Sequence, residues 1–186
     1  RVLFRSNQFC TFGYEEKNDV IGAVNFIKQH PRLKDLPVLV YGFSMGAVAS
    51  IMASGGDEKL FDAAIWDCPF DSTDGLITRA MDKMKINFFG FDFFFPGSFL
   101  LKKYVYNPYI QTFLKFMLKF IAKMDATKID TIIQPVTPRE KIKDIKIPFF
   151  LITCHNDEKV PPSAVIEIYN NAINSPHKRL WISSGR

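Results

Sequence analysis

The sequence predicts an α/β protein: a mostly parallel β-sheet with helices on both faces, carrying a phenylalanine-rich helical cap insertion. Three observations predict it. Short apolar runs rich in β-branched residues alternate with segments of helical period. Helix starts and breakers fall between them. The alternation lapses between about 75 and 138, where Phe and Lys take over. Strand–helix alternation implies parallel pairing, because a connection long enough to hold a helix joins parallel neighbours. The 186 residues suit one domain, 1–186, with a core of about 1–74 and 139–186 and the insertion at about 75–138.

Each element has a local reason. Ahead of Thr11, only Arg1 to Phe4 suits a strand. Glu15 to His30 reads as a helix: Val20, Val24 and Ile27 recur at helical spacing and Pro31 follows. Glu15, Glu16 and Asp19 near its start and Lys28 near its end suit the macrodipole. Pro37 to Phe43 is a short buried strand, and Met45 to Ser54 a small-residue helix that Gly55-Gly56 stops. Asp62 to Cys68 is the next strand. After the insertion come a strand at Ile147 to Thr153, a helix at Pro162 to Ala172 and a last strand at Lys178 to Ser183.

Composition narrows the function classes. With 47% hydrophobic and 23% charged residues the chain reads as globular. A net charge of +5 tolerates an anionic substrate or surface, but no nucleic-acid module is present. Cys10, Cys68 and Cys154 follow no metal-ligand spacing; free thiols in a reducing, cytoplasmic compartment are the simplest reading. No Asn-x-Ser/Thr acceptor, signal peptide or membrane-length run is found; Phe88 to Leu101 is broken by Asp92 and Pro96.

The sharpest motif is Gly42-Phe43-Ser44-Met45-Gly46, which fits the G-x-S-x-G nucleophile elbow. Glycines on either side of the serine allow close approach of neighbouring chain. The turn lifts the hydroxyl above the C-terminal edge of the sheet. The following helix aims its first N–H groups at a developing oxyanion, so the Met45 N–H is a candidate donor. The motif alone is common; a strand before it and a helix after it give it weight. The plain alternative is a strand–turn–helix with a surface serine.

With these residues in place, the sequence resembles the α/β-hydrolase superfamily, in the branch of serine aminopeptidase-like and monoacylglycerol-lipase-like proteins. Thr11-Phe12-Gly13-Tyr14-Glu15-Glu16-Lys17-Asn18-Asp19-Val20 is similar to the segment opening the helix before the elbow. Asn156-Asp157-Glu158-Lys159-Val160-Pro161 resembles the branch's D-x-x-V-P acid loop. The resemblance implies Ser44 as nucleophile and Asp157 as the acid that orients a catalytic histidine. Asp67, at the end of the strand after the elbow, is the rival acid, with Asp71 further from the strand end. A loop aspartate capping the next helix is the plain alternative for Asp157.

The chain holds three histidines, His30, His155 and His177. Helices in a parallel sheet return to the N-terminal edge of the strands, so His30 and His177 fall at the edge opposite Ser44. His155 is at the right edge but adjoins Asp157 too closely for both side chains to meet each other and Ser44. The resemblance places the histidine in the loop after the last strand, where Ser183-Ser184-Gly185-Arg186 has none, and so just after Arg186. It also implies an oxyanion-loop segment near Arg5-Ser6-Asn7-Gln8, which is not legible there. A hydrolase fold incomplete at both ends is the expectation.

Within the insertion, Phe88, Phe89, Phe91, Phe93, Phe94, Phe95 and Phe99 crowd twelve positions, and Lys115, Lys119 and Lys123 recur at helical spacing. Around that lysine stripe lie Phe113, Phe116, Met117, Phe120, Ile121 and Met124. Ordinary packing, a cap for an apolar acyl chain and a membrane-surface contact are the three readings. The expected function is a serine hydrolase acting on an ester, thioester or amide through an acyl-enzyme, with a carboxylester of an apolar acyl group favoured. Its partner is a small, lipid-like acyl substrate, with no nucleic acid, metal or organic cofactor. A peptidase of the serine aminopeptidase type and a catalytically silent binding module are the alternatives.

Overall fold

The computed structural model describes residues 11–55, 60–82, 85–88, 91–94, 104, 107–112 and 135–184. Arg1 to Phe4, Cys10, the lysine-striped segment and the last two residues lie outside them.

Four strands, β1 (Leu39–Phe43), β2 (Ala63–Asp67), β5 (Phe149–Cys154) and β6 (Lys178–Ser183), form one parallel sheet in the order β1-β2-β5-β6. The helices are α1 (Glu16–Gln29), α2 (Met45–Ser54), α3 (Thr73–Asp82), α4 (Pro138–Lys141) and α5 (Pro162–Asn171). A 3-10 turn at Ile142–Asp144 extends α4. The expected strands and helices recur with ends moved by one or two residues, and α2 and β6 match to the residue.

Topology decides which face is covered. Both β1-α2-β2 and β5-α5-β6 step the same way across the sheet, so right-handed crossovers put α2 and α5 on one face. That face carries Ala64, Trp66, Phe149 and Leu151, all buried with Val48 and Ile51 of α2 and Val165 and Ile168 of α5. The other face carries Leu39, Tyr41, Phe43 and Trp181, exposed at 59, 60, 63 and 54%. Helices on both faces were expected; among the described residues α2 and α5 occupy one.

The indole of Trp66 is paired inside this core. The Trp66 indole N–H donates to Ser50 Oγ at 2.7 Å, and Ser50 Oγ donates to the Ala47 carbonyl at 2.9 Å. Ahead of α1, the Glu15 N–H donates to Thr11 Oγ1 at 2.8 Å. The Glu16 carboxylate accepts the N–H groups of Thr11 and Gly13, each at 2.8 Å, and the Thr11 hydroxyl at 2.7 Å. This is a reciprocal cap of the capping-box kind. It folds the chain through Phe12 and Gly13, at φ 56° and 99°. A Cβ on Gly13 would stand 2.8 Å from Val48 Cγ1, so the turn sits directly on α2.

The insertion holds more than the helical cap that was expected. After α3, β3 (Lys85–Phe88) and β4 (Phe91–Phe94) form an antiparallel pair. Ile86 stands opposite Phe93 and Phe88 opposite Phe91, with Asn87 opposite Asp92. Aromatic and β-branched residues favour a strand, and two of the four pairs are apolar with apolar, while Lys85 stands opposite Phe94. At the base, the Thr73 N–H donates to the Val136 carbonyl at 2.9 Å and the Val136 N–H to Thr73 Oγ1 at 3.1 Å, tying positions 63 residues apart. Among the described residues no helix is long and apolar enough to cross a membrane.

Candidate active site

The sheet's C-terminal edge collects the reactive side chains. Ser44 follows β1 directly and precedes α2, with φ 50° and ψ −116°. A non-glycine residue there costs on the order of 1–3 kcal/mol and persists only when its surroundings fix it. Two hydrogen bonds do so: the Ser44 N–H donates to the Asp67 carbonyl at 2.7 Å, and the Val48 N–H donates to the Ser44 carbonyl at 3.1 Å. The strand therefore turns into a helix within one residue. Ser44 is half-buried, and its hydroxyl makes no hydrogen bond among the described residues. Met45 is the first residue of α2, so its N–H lies at the helix N-terminus beside Ser44.

The two motif glycines differ. A Cβ on Gly42 would stand 2.7 Å from Ala47 Cα, Ala47 N and Gly46 O, all main chain. A Cβ on Gly46 would meet nothing within 4 Å among the described residues.

Asp157 lies in the loop after β5, at the same edge as Ser44. Its Oδ1 accepts the N–H groups of Lys159 at 2.8 Å and Val160 at 2.9 Å. These bonds close the loop's own turn; α5 begins later, with Pro161 at its N-cap and no side-chain cap bond, so the helix cap foreseen as the plain alternative is not formed by Asp157. Oδ2 makes no hydrogen bond among the described residues, so holding the loop and orienting a base use different oxygens.

Asp67 ends β2, beside Ser44. Its Oδ2 accepts the Tyr41 hydroxyl at 3.1 Å. Asp71 is elsewhere engaged: it is buried, pairs with Arg79 at 2.6 Å, and lies 3.9 Å from Arg139. Cys68 is buried, with φ 50°, and its N–H donates to the Ile152 carbonyl at 2.9 Å. Burial first, then the neighbouring Asp67 carboxylate and the charge of Asp157, push its thiol up to about 12. The bond to Asp67, followed by its charge, raises the Tyr41 phenol above 10.0.

The histidines stand apart from Ser44. His30 follows α1, and its Nδ1 accepts the Arg32 N–H at 3.2 Å. The His177 carbonyl accepts the Phe149 N–H at 3.0 Å, which places it at the N-terminal edge. The His155 N–H donates to the Ser183 carbonyl at 2.8 Å, at the C-terminal edge, and its side chain is exposed. None of the three bonds to Ser44 or Asp157 among the described residues. Nor does any group of three or more His, Cys, Asp or Glu among them form a metal-binding cluster.

Sequence reasoning missed the role of Tyr41. Register held the signal for Tyr41: it pairs with Ile65, so Asp67 is its diagonal neighbour on the same face.

No family model and no curated protein matches the sequence. Solved structures do. An esterase of Pyrococcus furiosus superposes with a TM-score of 0.60 at 22% identity, over 94% of this chain and 55% of that one. The acylaminoacyl peptidase of Pyrococcus horikoshii gives 0.57 at 16% identity, over 94% and 24%. An acetyl xylan esterase from Paenibacillus sp. R4 gives 0.56 at 15% identity, over 91% and 46%. The chain has the α/β-hydrolase fold, and it spans about half the length of the Pyrococcus furiosus esterase.

Proposed function

We propose that this chain carries the nucleophile and the acid of a serine hydrolase that works through an acyl-enzyme. The observation that supports it most is the conformation of Ser44: a strained serine between a parallel strand and a helix N-terminus, at the C-terminal edge of the sheet. Its Oγ attacks the substrate carbonyl, and the Met45 N–H stabilises the oxyanion. Asp157, through Oδ2, orients the imidazole that takes the serine proton. That imidazole is none of His30, His155 and His177; the loop after β6 is the place from which strand direction would bring one. Hydrolysis of the acyl-enzyme by water restores the serine.

A fluorophosphonate tests the reading, since an activated serine displaces its fluoride and keeps the phosphonyl group. The full-length protein, with its catalytic imidazole, is expected to label at Ser44, and Ser44→Ala to lose the label with its fold intact. Labelling that survives Ser44→Ala refutes the assignment. One observation favours a second reading, a silent binding module on the same fold: no described imidazole reaches Ser44. Complete absence of labelling is its signature. For the substrate, we favour a carboxylester with an apolar acyl group, on the phenylalanine content of the insertion; a peptide bond is the alternative.

A further inference from the structure

β1 and β2 run parallel with Phe43 opposite Asp67, so Ser44 and Cys68 leave the sheet on the same rung. Both have φ 50°, and apart from the Phe12–Gly13 turn they are the described positions with positive φ. Two residues in an unfavourable conformation, side by side, need bonds that fix them. The ladder supplies one for each: Ser44 N–H to the Asp67 carbonyl at 2.7 Å, Cys68 N–H to the Ile152 carbonyl at 2.9 Å. The peptide between Asp67 and Cys68 thus carries the nucleophile's turn on one side and leans on β5 on the other.

The Asp67 side chain fixes that peptide. Its carboxylate takes the Tyr41 hydroxyl at 3.1 Å from within β1, three residues before Ser44. It therefore ties the last turn of β1 to the end of β2 from the sheet face opposite α2. Asp157 instead gives one oxygen to its own loop and keeps Oδ2 without a described partner. Two carboxylates at one edge are thereby distinguished by their donors.

We infer that Asp67 is a positioning residue for Ser44, held by Tyr41, and that this engagement leaves the acid's role to Asp157. The inference rests on the proposed serine chemistry.

The test is the rate of fluorophosphonate labelling at Ser44 in the whole protein, measured well below the Tm of each variant. Tyr41→Phe removes the donor to Asp67 and is expected to slow labelling about tenfold, the order of one lost hydrogen bond. Asp67→Asn keeps an oxygen that can accept from Tyr41 and is expected to cost far less than Asp157→Asn. If Tyr41→Phe labels at the unsubstituted rate, or if Asp67→Asn falls as far as Asp157→Asn, the inference is overturned while the serine reading stands. Absence of labelling in the unsubstituted protein overturns both.

Discussion

Replacing Gly42 by Ala tests whether the elbow is built by close packing or by the motif alone. The added Cβ would meet Ala47 Cα, Ala47 N and Gly46 O, each at 2.7 Å. Ordinary contact begins near 3.4 Å, so β1 must part from the first turn of α2 by several tenths of an ångström. None of the three atoms belongs to a side chain that can rotate away. Overpacking of this kind costs about 1–3 kcal/mol. For a chain of 186 residues that lowers Tm by about 2–12 °C. The displacement also opens the Ser44–Asp67 bond, so labelling of Ser44 should fall alongside stability. Gly46→Ala is the control: with nothing within 4 Å, the methyl is tolerated, and the change is expected within about 0.5 kcal/mol. Urea melts of both variants, compared at equal m, measure the difference. Equal destabilisation by the two substitutions, or a neutral Gly42→Ala, would refute the packing argument.

Three further outcomes are expected. Asp71→Asn leaves Arg79 and Arg139 facing a neutral amide and should cost roughly 3 kcal/mol in a urea melt, the low end for breaking a buried pair because both arginines keep some solvent; a cost below about 1 kcal/mol would show that the pair adds little. Burial raises the Glu16 carboxyl, but hydrogen bonds from Thr11 and Gly13 outweigh it and hold it below its ordinary value of 4.5. Its stabilisation is therefore complete above pH 4.5 and fades as pH falls through the folded-state value, so Glu16→Gln should flatten the stability–pH curve there. With p-nitrophenyl esters, four additional buried methylenes at about 0.8 kcal/mol each should favour the longer acyl chain by about two orders of magnitude; a flat profile removes the apolar-acyl reading.

The core was legible because its signals are local. α2 lies between a motif serine and Gly55, and β6 between a proline-bearing turn and a serine pair, so both ends of each could be read directly. The hairpin at Lys85–Phe94 was not legible: phenylalanine serves strands and helices alike, and Phe88 to Phe94 has no unbroken helical or two-residue period. Which face each helix covers was not legible for a different reason. Alternation of strands and helices implies crossovers, but strand order decides their faces, and the order β1-β2-β5-β6 is set by the pairing of β2 with β5 across the insertion.

The candidate site divides along the same line. Ser44 and Asp157 were found from short motifs, and strand direction alone placed them at one edge. What holds Ser44 in its strained turn comes from residues the motif does not contain. Its N–H bond goes to Asp67, on another strand, and the Asp67 carboxylate is held by Tyr41. Gly42 permits the turn and does not impose it, since a glycine stabilises no particular φ. A G-x-S-x-G sequence without a carbonyl at the height of Asp67 could relax into an ordinary helix start, with the serine hydroxyl folded back as a cap. The chemical promise of this serine therefore lies in the parallel pairing of β1 with β2, and the variants that test it are those that disturb that pairing at its C-terminal end.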